Sequence, residues 1–300
     1  MTRILVAEDD STSLFIIKSL LEKWGHDVVP VTSGTDALAV LRSKSSPLLA
    51  ILDWMLPGMN GPEICRTLRD EADAEKPYKY IILLTVKGEK ENIVEGLDSG
   101  ADDYIIKPFD YQELHLRIRV GERILFLQEQ LRRAALEDPL TGLPNRRASI
   151  SALEAEIARY RRTGEPFTVA ILDLDHFKKI NDTYGHATGD AVLTEAAGRM
   201  KASVRPYDTV GRFGGEEFLL IFPGLKRDDA VSICERIRSR ICSEPFSTAR
   251  SEKTQTTFTV TASLGLAPWG KAFRNADELL VYADENLYRA KDEGRNLVVG

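Results

Sequence analysis

Two groups of acidic residues stand where chemistry could occur. In the first, Glu8 and Asp9 follow the run ILVA, Asp53 follows LLAIL, Thr85 follows IILL, and Lys107 follows YII in the segment IIKPF. Each preceding run is apolar and rich in β-branched residues, so each reads as a strand. In a parallel sheet the carboxyl ends of such strands converge. Carboxylates gathered there repel one another unless a cation joins them, and Mg²⁺ is the expected occupant. An aspartate beside Mg²⁺, with a lysine and a hydroxyl nearby, can accept a phosphoryl group, because metal and lysine offset the charge on the phosphoryl oxygens. Any one acid after a strand is most often a turn residue; the set together is harder to dismiss.

In the second group, Asp173 and Asp175 of VAILDLDHFKKIND alternate with apolar residues and so share one strand face. The stretch RFGGEEFLLIF reads as two short strands with Gly214-Gly215 as the turn, and Glu216 and Glu217 follow that turn directly. If the two segments lie side by side, Asp173 meets Glu216 and Glu217, and three acids near one point again imply a divalent cation. Mg²⁺ with few protein ligands usually also holds substrate phosphates. Backbone N–H groups of His176, Phe177 and Lys178 at a helix start, and the side chains of Lys291 and Arg295 in AKDEGRN, suit those phosphates. The reading is a nucleoside triphosphate site for metal-assisted phosphoryl transfer. A Gly-Gly hairpin by itself is only a turn, and Asp173 or Glu216 alone is more often a surface acid.

The elements that must position these groups fall into two sets. From residue 1 to about 120, strand-like and amphipathic helical segments alternate, which implies a doubly wound parallel sheet. Residues 111–137 form a connecting helix, in which Val120, Ile124, Leu127, Leu131 and Ala134 recur at coiled-coil spacing and suggest self-association. DPLTGLPNRR then breaks the helix. Residues 138–300 follow with strands at FTVAILDLD, TVGRFGGEEFLLIF and FTVTASLGLA among four helical stretches, which suggests an antiparallel sheet carrying helices.

The 300 residues suit two domains, and 43% apolar residues suffice for real cores. Residues 1–130 hold 15 Lys+Arg against 22 Asp+Glu, and residues 131–300 hold 25 against 24, so neither half is a basic nucleic-acid binder of the usual sort. No apolar run approaches a membrane span, the N-terminus does not read as a signal peptide, and Cys65, Cys234 and Cys242 match no zinc pattern. The expectation is a cytoplasmic protein with no membrane or nucleic-acid partner.

The first 120 residues resemble the receiver domain of bacterial response regulators, through EDD, DWMLPGMNG, Thr85 and Lys107-Pro108. The resemblance implies a flavodoxin-like fold in which a histidine kinase phosphorylates Asp53. Glu8 and Asp9 would hold Mg²⁺ with Asp53 and the Met55 carbonyl. Thr85 and Lys107 would bind the phosphoryl group, Tyr104 would switch rotamer, and Lys107-Pro108 would be cis. Residues 138–300 resemble the GGDEF family of diguanylate cyclases, through DPLTGLPNRR, LDLDHFKKINDTYGH, the GD at 189–190, RFGGEEF and AKDEGRN. That family has a palm-like α+β fold and condenses two GTP into cyclic di-GMP and two pyrophosphates. By resemblance Asp173 and Glu216 hold Mg²⁺ (or Mn²⁺ as a substitute) with the Leu174 carbonyl. Glu217 is a second ligand or the group that activates the 3′-hydroxyl. Asn181 and Asp190 read guanine, and Lys178, Lys291 and Arg295 neutralise the triphosphate. RPYD matches the family's product-inhibition site, giving Arg205 and Asp208 with Arg236 as a secondary contact; the bland alternative is an Arg205–Asp208 ion pair.

The reaction needs two facing domains, hence a homodimer. The resemblance thus implies a phosphorylation-controlled diguanylate cyclase with product feedback. The alternative is a catalytically inactive GGDEF module that serves as a receptor for cyclic di-GMP or GTP.

Overall fold

The computed structural model describes residues 1–43, 45–71, 77–86, 96, 98–248 and 256–300. The chain divides into two compact units, Met1–Arg132 and Arg133–Gly300.

The first unit is a five-stranded parallel sheet in the order β2-β1-β3-β4-β5, formed by β1 (Arg3–Ala7), β2 (Asp27–Val31), β3 (Leu49–Asp53), β4 (Tyr80–Thr85) and β5 (Asp103–Ile106). The central strands are unbroken apolar runs because both their faces are covered. Leu5, Ala50, Leu52, Ile81 and Leu83 enter one core cluster, and Ile4, Val6, Ile51, Ile82 and Leu84 enter the other. Among the described residues the helices named are α1 (Ser11–Lys23), α2 (Gly34–Arg42), α3 (Gly61–Asp70) and α4 (Tyr111–Leu136). This is the doubly wound, flavodoxin-like arrangement.

The starts of the helices are set by caps. Asp10 accepts the Ser13 N–H at the start of α1, and Asn60 with Glu63 forms a capping box on α3. Gly61 follows that cap; a Cβ there would lie 2.6 Å from the Asp53 carbonyl oxygen, so the glycine lets α3 begin against the end of β3. The Lys107–Pro108 peptide is cis.

Of the apolar stripe read on α4, Val120, Leu127 and Leu131 are exposed, together with Leu116 and Phe126. Ile124 departs from that stripe: it is partly buried and packs on the core of the first unit. Helical spacing alone could not assign it, because Ile124 also lies one turn beyond Gly121, where α4 touches Tyr80.

The second unit has a sheet in the order β12-β11-β6-β8-β7, built from β6 (Phe167–Leu174), β7 (Thr209–Gly214), β8 (Glu217–Pro223), β11 (Ala262–Pro268) and β12 (Val298–Val299). Its pairs are antiparallel except β11 with β12, which is parallel. A separate ribbon pairs β9 (Phe246–Ser247) with β10 (Thr257–Phe258). The run FTVTASLGLA is therefore split, with Phe258 in the ribbon and Ala262 onward in the main sheet. The helices α5 (Arg146–Thr163), α6 (Phe177–Tyr184), α7 (His186–Lys201), α8 (Arg227–Ser243) and α9 (Ala276–Asp292) complete the α+β unit. Along β6, Ala170, Leu172 and Leu174 enter the core with α7 and α8, while Phe167, Val169 and Ile171 enter the core with α5 and α9.

The hairpin differs from its reading in one respect. Gly214 pairs with Glu217 as part of the ladder, so the turn is Gly215-Glu216, with Gly215 at φ +49°. A bulge between Arg212 and Gly214 shifts the register by one residue and moves the turn toward the glutamates.

Helix α9 lies on β11 through backbone contact. A Cβ on Gly265 would sit 2.1 Å from the Leu287 nitrogen and 2.2 Å from the Ala283 oxygen. Gly265→Ala is expected to lower the stability of the second unit by about 1–3 kcal/mol, read as a lower urea midpoint by intrinsic fluorescence of Trp269. An unchanged midpoint would contradict that packing.

Candidate functional site

In the first unit, the strand ends bring Glu8, Asp9 and Asp53 together, with one carboxylate oxygen of each within 4.8 Å of the others. Glu8 and Asp53 are buried, and Asp9 is exposed. The third acid of EDD, Asp10, is taken up by the α1 cap. Lys107 Nζ lies 2.5 Å from Glu8 Oε2 and 3.1 Å from Asp53 Oδ2. Burial pushes the Glu8 carboxyl up, the Lys107 hydrogen bond opposes this, and the charge on Asp53 adds to the rise. Burial works against the charge on Lys107, but hydrogen bonding to Glu8 and the charge of Asp53 outweigh it, so the lysine is held more firmly protonated. Thr85 is buried at the end of β4, and its carbonyl accepts the Lys107 N–H at 2.6 Å. Tyr104, on β5, is half-buried against the core, and Met55 is exposed two residues after Asp53. Three clustered carboxylates are the hard oxygen donors that Mg²⁺ takes, so this group fits a divalent cation.

In the second unit, Asp173 on β6 lies directly opposite Glu217 on β8. The Leu174 N–H donates to the Glu216 carbonyl at 3.3 Å, which ties the hairpin turn to the end of β6. Glu216 and Glu217 are half-buried, and Asp173 is 7% exposed. Among the described residues, however, these three carboxylates do not converge as the first trio does. Asp173 instead faces Lys291 of α9, whose Nζ is 2.9 Å from Oδ2. The reading that three acids meet at one point is corrected to this extent: backbone pairing makes them neighbours, while Lys291 holds the buried one. Burial pushes the Asp173 carboxyl up to about 6; Lys291 opposes the rise, and the charges of Glu216 and Glu217 add to it. A buried carboxylate repelled by two neighbouring acids fits a divalent cation.

The remaining candidates surround this point. His176 has left-handed backbone (φ 57°) and starts α6, which has no side-chain cap. Phe177 is in the core and Lys178 is exposed. Asn181 on α6 lies against α7 at Gly189, where a Cβ would lie 1.9 Å from Asn181 Oδ1; Asp190 is the next residue of α7. Arg295 is exposed in the turn after α9, at φ 65°. Arg205 donates through Nη2 to Asp208 Oδ1 at 2.7 Å and to the Pro223 carbonyl at 3.1 Å, so the ion pair forms. Arg236 on α8 reaches the same loop, donating to the Ser203 carbonyl at 2.6 Å.

Two features were not assigned from sequence. Asp138 of DPLTG accepts two bonds from Arg212 Nη1 of RFGGEEF, both 3.1 Å, and the Arg212 N–H donates to the Pro144 carbonyl at 2.8 Å. Burial raises the Asp138 carboxyl, but bonds from Thr141 and Arg212 prevail and hold it below its ordinary value. Asp175 is buried and accepts from three donors. Its place two residues after Asp173 was the available signal.

Residues 135–297 match the family model described as diguanylate cyclase, GGDEF domain, and residues 4–119 match the response regulator receiver domain. The chain belongs to the GGDEF family and carries a receiver domain ahead of that domain. It is 32% identical over 306 residues to the response regulator PleD of Caulobacter vibrioides, covering 99% of this chain and 65% of that protein. The chain thus spans slightly less than two thirds of that relative. It is 40% identical over 168 residues to the diguanylate cyclase DgcP of Pseudomonas aeruginosa, covering 56% of this chain and 24% of that one. Among solved structures it is similar to the coiled coil and GGDEF domain of DgcB from Caulobacter crescentus in complex with c-di-GMP. The TM-score is 0.56 at 32% identity, covering 63% of this chain and 99% of that one. Receiver and GGDEF domains generally use divalent metal ions. Among the described residues no helix is long and apolar enough to cross a membrane.

The raised Asp173 carboxyl has a consequence for stability. Its folded value of about 6 exceeds the ordinary 3.8, so the protonated form is favoured on folding. That stabilisation is present below pH 3.8 and is lost as pH rises through about 6, a change of about 3 kcal/mol. Asp173→Asn is therefore expected to be more stable than the parent at neutral pH by up to about 3 kcal/mol, with the gap closing toward about pH 4. Urea unfolding at the two pH values checks this.

Proposed function

We propose that the chain is a diguanylate cyclase controlled by phosphorylation of its receiver domain. The observation that carries the reading is the pairing of buried Asp173 with Glu217 across β6 and β8, with Lys291 2.9 Å away. In this reading Asp173 and Glu216 hold Mg²⁺, or Mn²⁺ in its place, with the Leu174 carbonyl, and Glu217 serves as second ligand or proton acceptor. The bound ion supplies charge stabilisation at the α-phosphate. Asn181 and Asp190 take the guanine edge, since an amide and a carboxylate match its acceptors and N–H groups. Lys178, Lys291, Arg295 and the N–H groups of His176 and Phe177 take the triphosphate. The 3′-oxygen of one GTP loses its proton, bonds to the α-phosphorus of the other, and pyrophosphate leaves; the second half of the reaction repeats this and closes the ring.

Lys291 then has two partners in turn. It neutralises Asp173 when the site is without substrate and turns to phosphate when GTP enters. In the receiver, a histidine kinase donates the phosphoryl group to Asp53, with Mg²⁺ on Glu8, Asp9, Asp53 and the Met55 carbonyl. Lys107 and Thr85 bind the added oxygens and Tyr104 reports the change. The product binds at Arg205, Asp208 and Arg236 as an inhibitor. A guanine edge competes for the donors that Arg205 now gives Asp208 and Pro223. GTP and a kinase donor put this work in the cytoplasm.

The test is GTP turnover with Mg²⁺, product identified by mass, with and without beryllofluoride as a phosphoryl mimic. Cyclic di-GMP formed faster with the mimic is expected, and Asp53→Asn should remove the acceleration. No product, even after bound cyclic di-GMP is stripped, would favour the receptor alternative.

Each site holds one GTP, so two copies must face each other. The exposed Leu127 and Leu131 of α4 provide the apolar seam between them. Leu127→Glu with Leu131→Glu is expected to lower turnover at least ~10-fold, with like charges opposing association, while urea unfolding of both units is unchanged. Full turnover by this variant would remove α4 from the reading.

A further inference from the structure

Asp175 has no part in the chemistry above, yet it is one of the most enclosed carboxylates in the second unit, at 4% exposure. It stands just beyond the end of β6, where its own N–H donates to the Thr261 carbonyl at 2.9 Å. Its carboxylate accepts the Ser263 hydroxyl at 2.7 Å on Oδ1. On Oδ2 it accepts the Thr261 hydroxyl at 2.7 Å and the Asn296 backbone N–H at 3.0 Å. A charge out of water is costly unless hydrogen bonds replace the water, and here three neutral donors do so.

The third donor is the informative one. Asn296 follows Arg295, and both have left-handed backbone, at φ 49° and 65°. Asn tolerates this conformation, but Arg adopts it rarely, and two such residues in succession need support from their surroundings. Two bonds provide it. The Arg295 N–H closes on the Ala290 carbonyl at 3.0 Å, and the Asn296 N–H goes to Asp175. The first bond is local to the end of α9. The second ties the turn to the strand that carries Asp173, and a charged acceptor makes it the stronger kind of bond. Ser263, which also donates to Asp175, is the register partner of Asp173 on β11. Asp173, Lys291 and Arg295 are thus referenced to one carboxylate.

We propose that Asp175 is the positioning residue that fixes the phosphate-contacting arm, Lys291 and Arg295, against the metal-binding strand. The proposal rests on the GTP reading given above. Asp175 touches no substrate; it acts through the Asn296 N–H on the two cations.

The test uses the full chain and the variant Asp175→Asn, which keeps the size but replaces one acceptor oxygen with an NH₂ facing a donor. Affinities are measured with Mg²⁺ for a GTP analogue whose α–β linkage cannot be cleaved, and for GMP. Loss of a residue that orients ligand-binding groups typically costs ~10-fold or more. That loss is expected for the triphosphate analogue. GMP, which lacks the β- and γ-phosphates, should change less than about 2-fold. Equal binding of the analogue by variant and parent would overturn the proposal. So would equal losses for both ligands with a lower unfolding midpoint, which would make Asp175 a residue of general stability. If the variant does not fold, amide hydrogen exchange at Asn296 in the unaltered protein decides: protection supports the tie to Asp175, and exchange at the unprotected rate overturns it. Failure of the parent to bind the analogue would remove the GTP reading as well, whereas parent and variant binding alike would remove only this inference.

Discussion

Both units confront one electrostatic problem: carboxylates crowded at strand ends, partly out of water. Like charges held so close would push the strands apart or force protonation. Among the described residues, each unit places a lysine from a neighbouring element against these acids. Lys107, after β5, sits between Glu8 and Asp53, and Lys291, near the end of α9, sits on Asp173. The flexible stem and compact charge of lysine suit this task, because the ammonium can move when a ligand brings its own charge. In the function proposed above, the same two lysines also receive phosphate oxygens. Lys107 bridges two acids, whereas Lys291 offsets the one buried acid of its site.

That constraint explains the backbone work around each site. Asp53 is set by a loop whose Asn60 caps α3 and whose Gly61 lies against the Asp53 carbonyl. Glu216 sits in a turn whose carbonyl takes the Leu174 N–H, and Arg212, just before the bulge, is anchored to Asp138. In both places the segment that carries the acid is tied to neighbouring elements by main-chain contacts and hydrogen bonds. The DPLTG segment, which reads both as a helix breaker and as part of the family resemblance, is thereby joined to the hairpin that presents the glutamates.

Much of this was legible in the residues. Unbroken apolar runs announced a sheet covered on both faces, and acids at their ends announced where a site would form. The hairpin was legible as a hairpin but not in its turn, because a bulge at Phe213 moves the register by one and no local pattern marks a bulge of this kind. Ile124 fitted a coiled-coil stripe and a core stripe equally well, and only the docking of α4 on its sheet decides between them. The partners of Asp173 and Asp138 lie over a hundred and some seventy residues away in the chain. Such pairs follow from topology, which composition and spacing do not encode.

The contact between Gly265 and α9 carries a further meaning. Helices usually stand off a sheet by the thickness of their side chains, so a change of one side chain shifts the helix by a fraction of an ångström. Here the peptide groups of Ala283 and Leu287 meet the strand with no side chain between them. The distance is set by the radii of main-chain atoms, a dimension that substitutions elsewhere on α9 cannot tune. Lys291 lies one turn beyond Leu287, so the helix that carries it meets the sheet at a backbone-set distance, while the Asn296–Asp175 bond fixes the turn that follows.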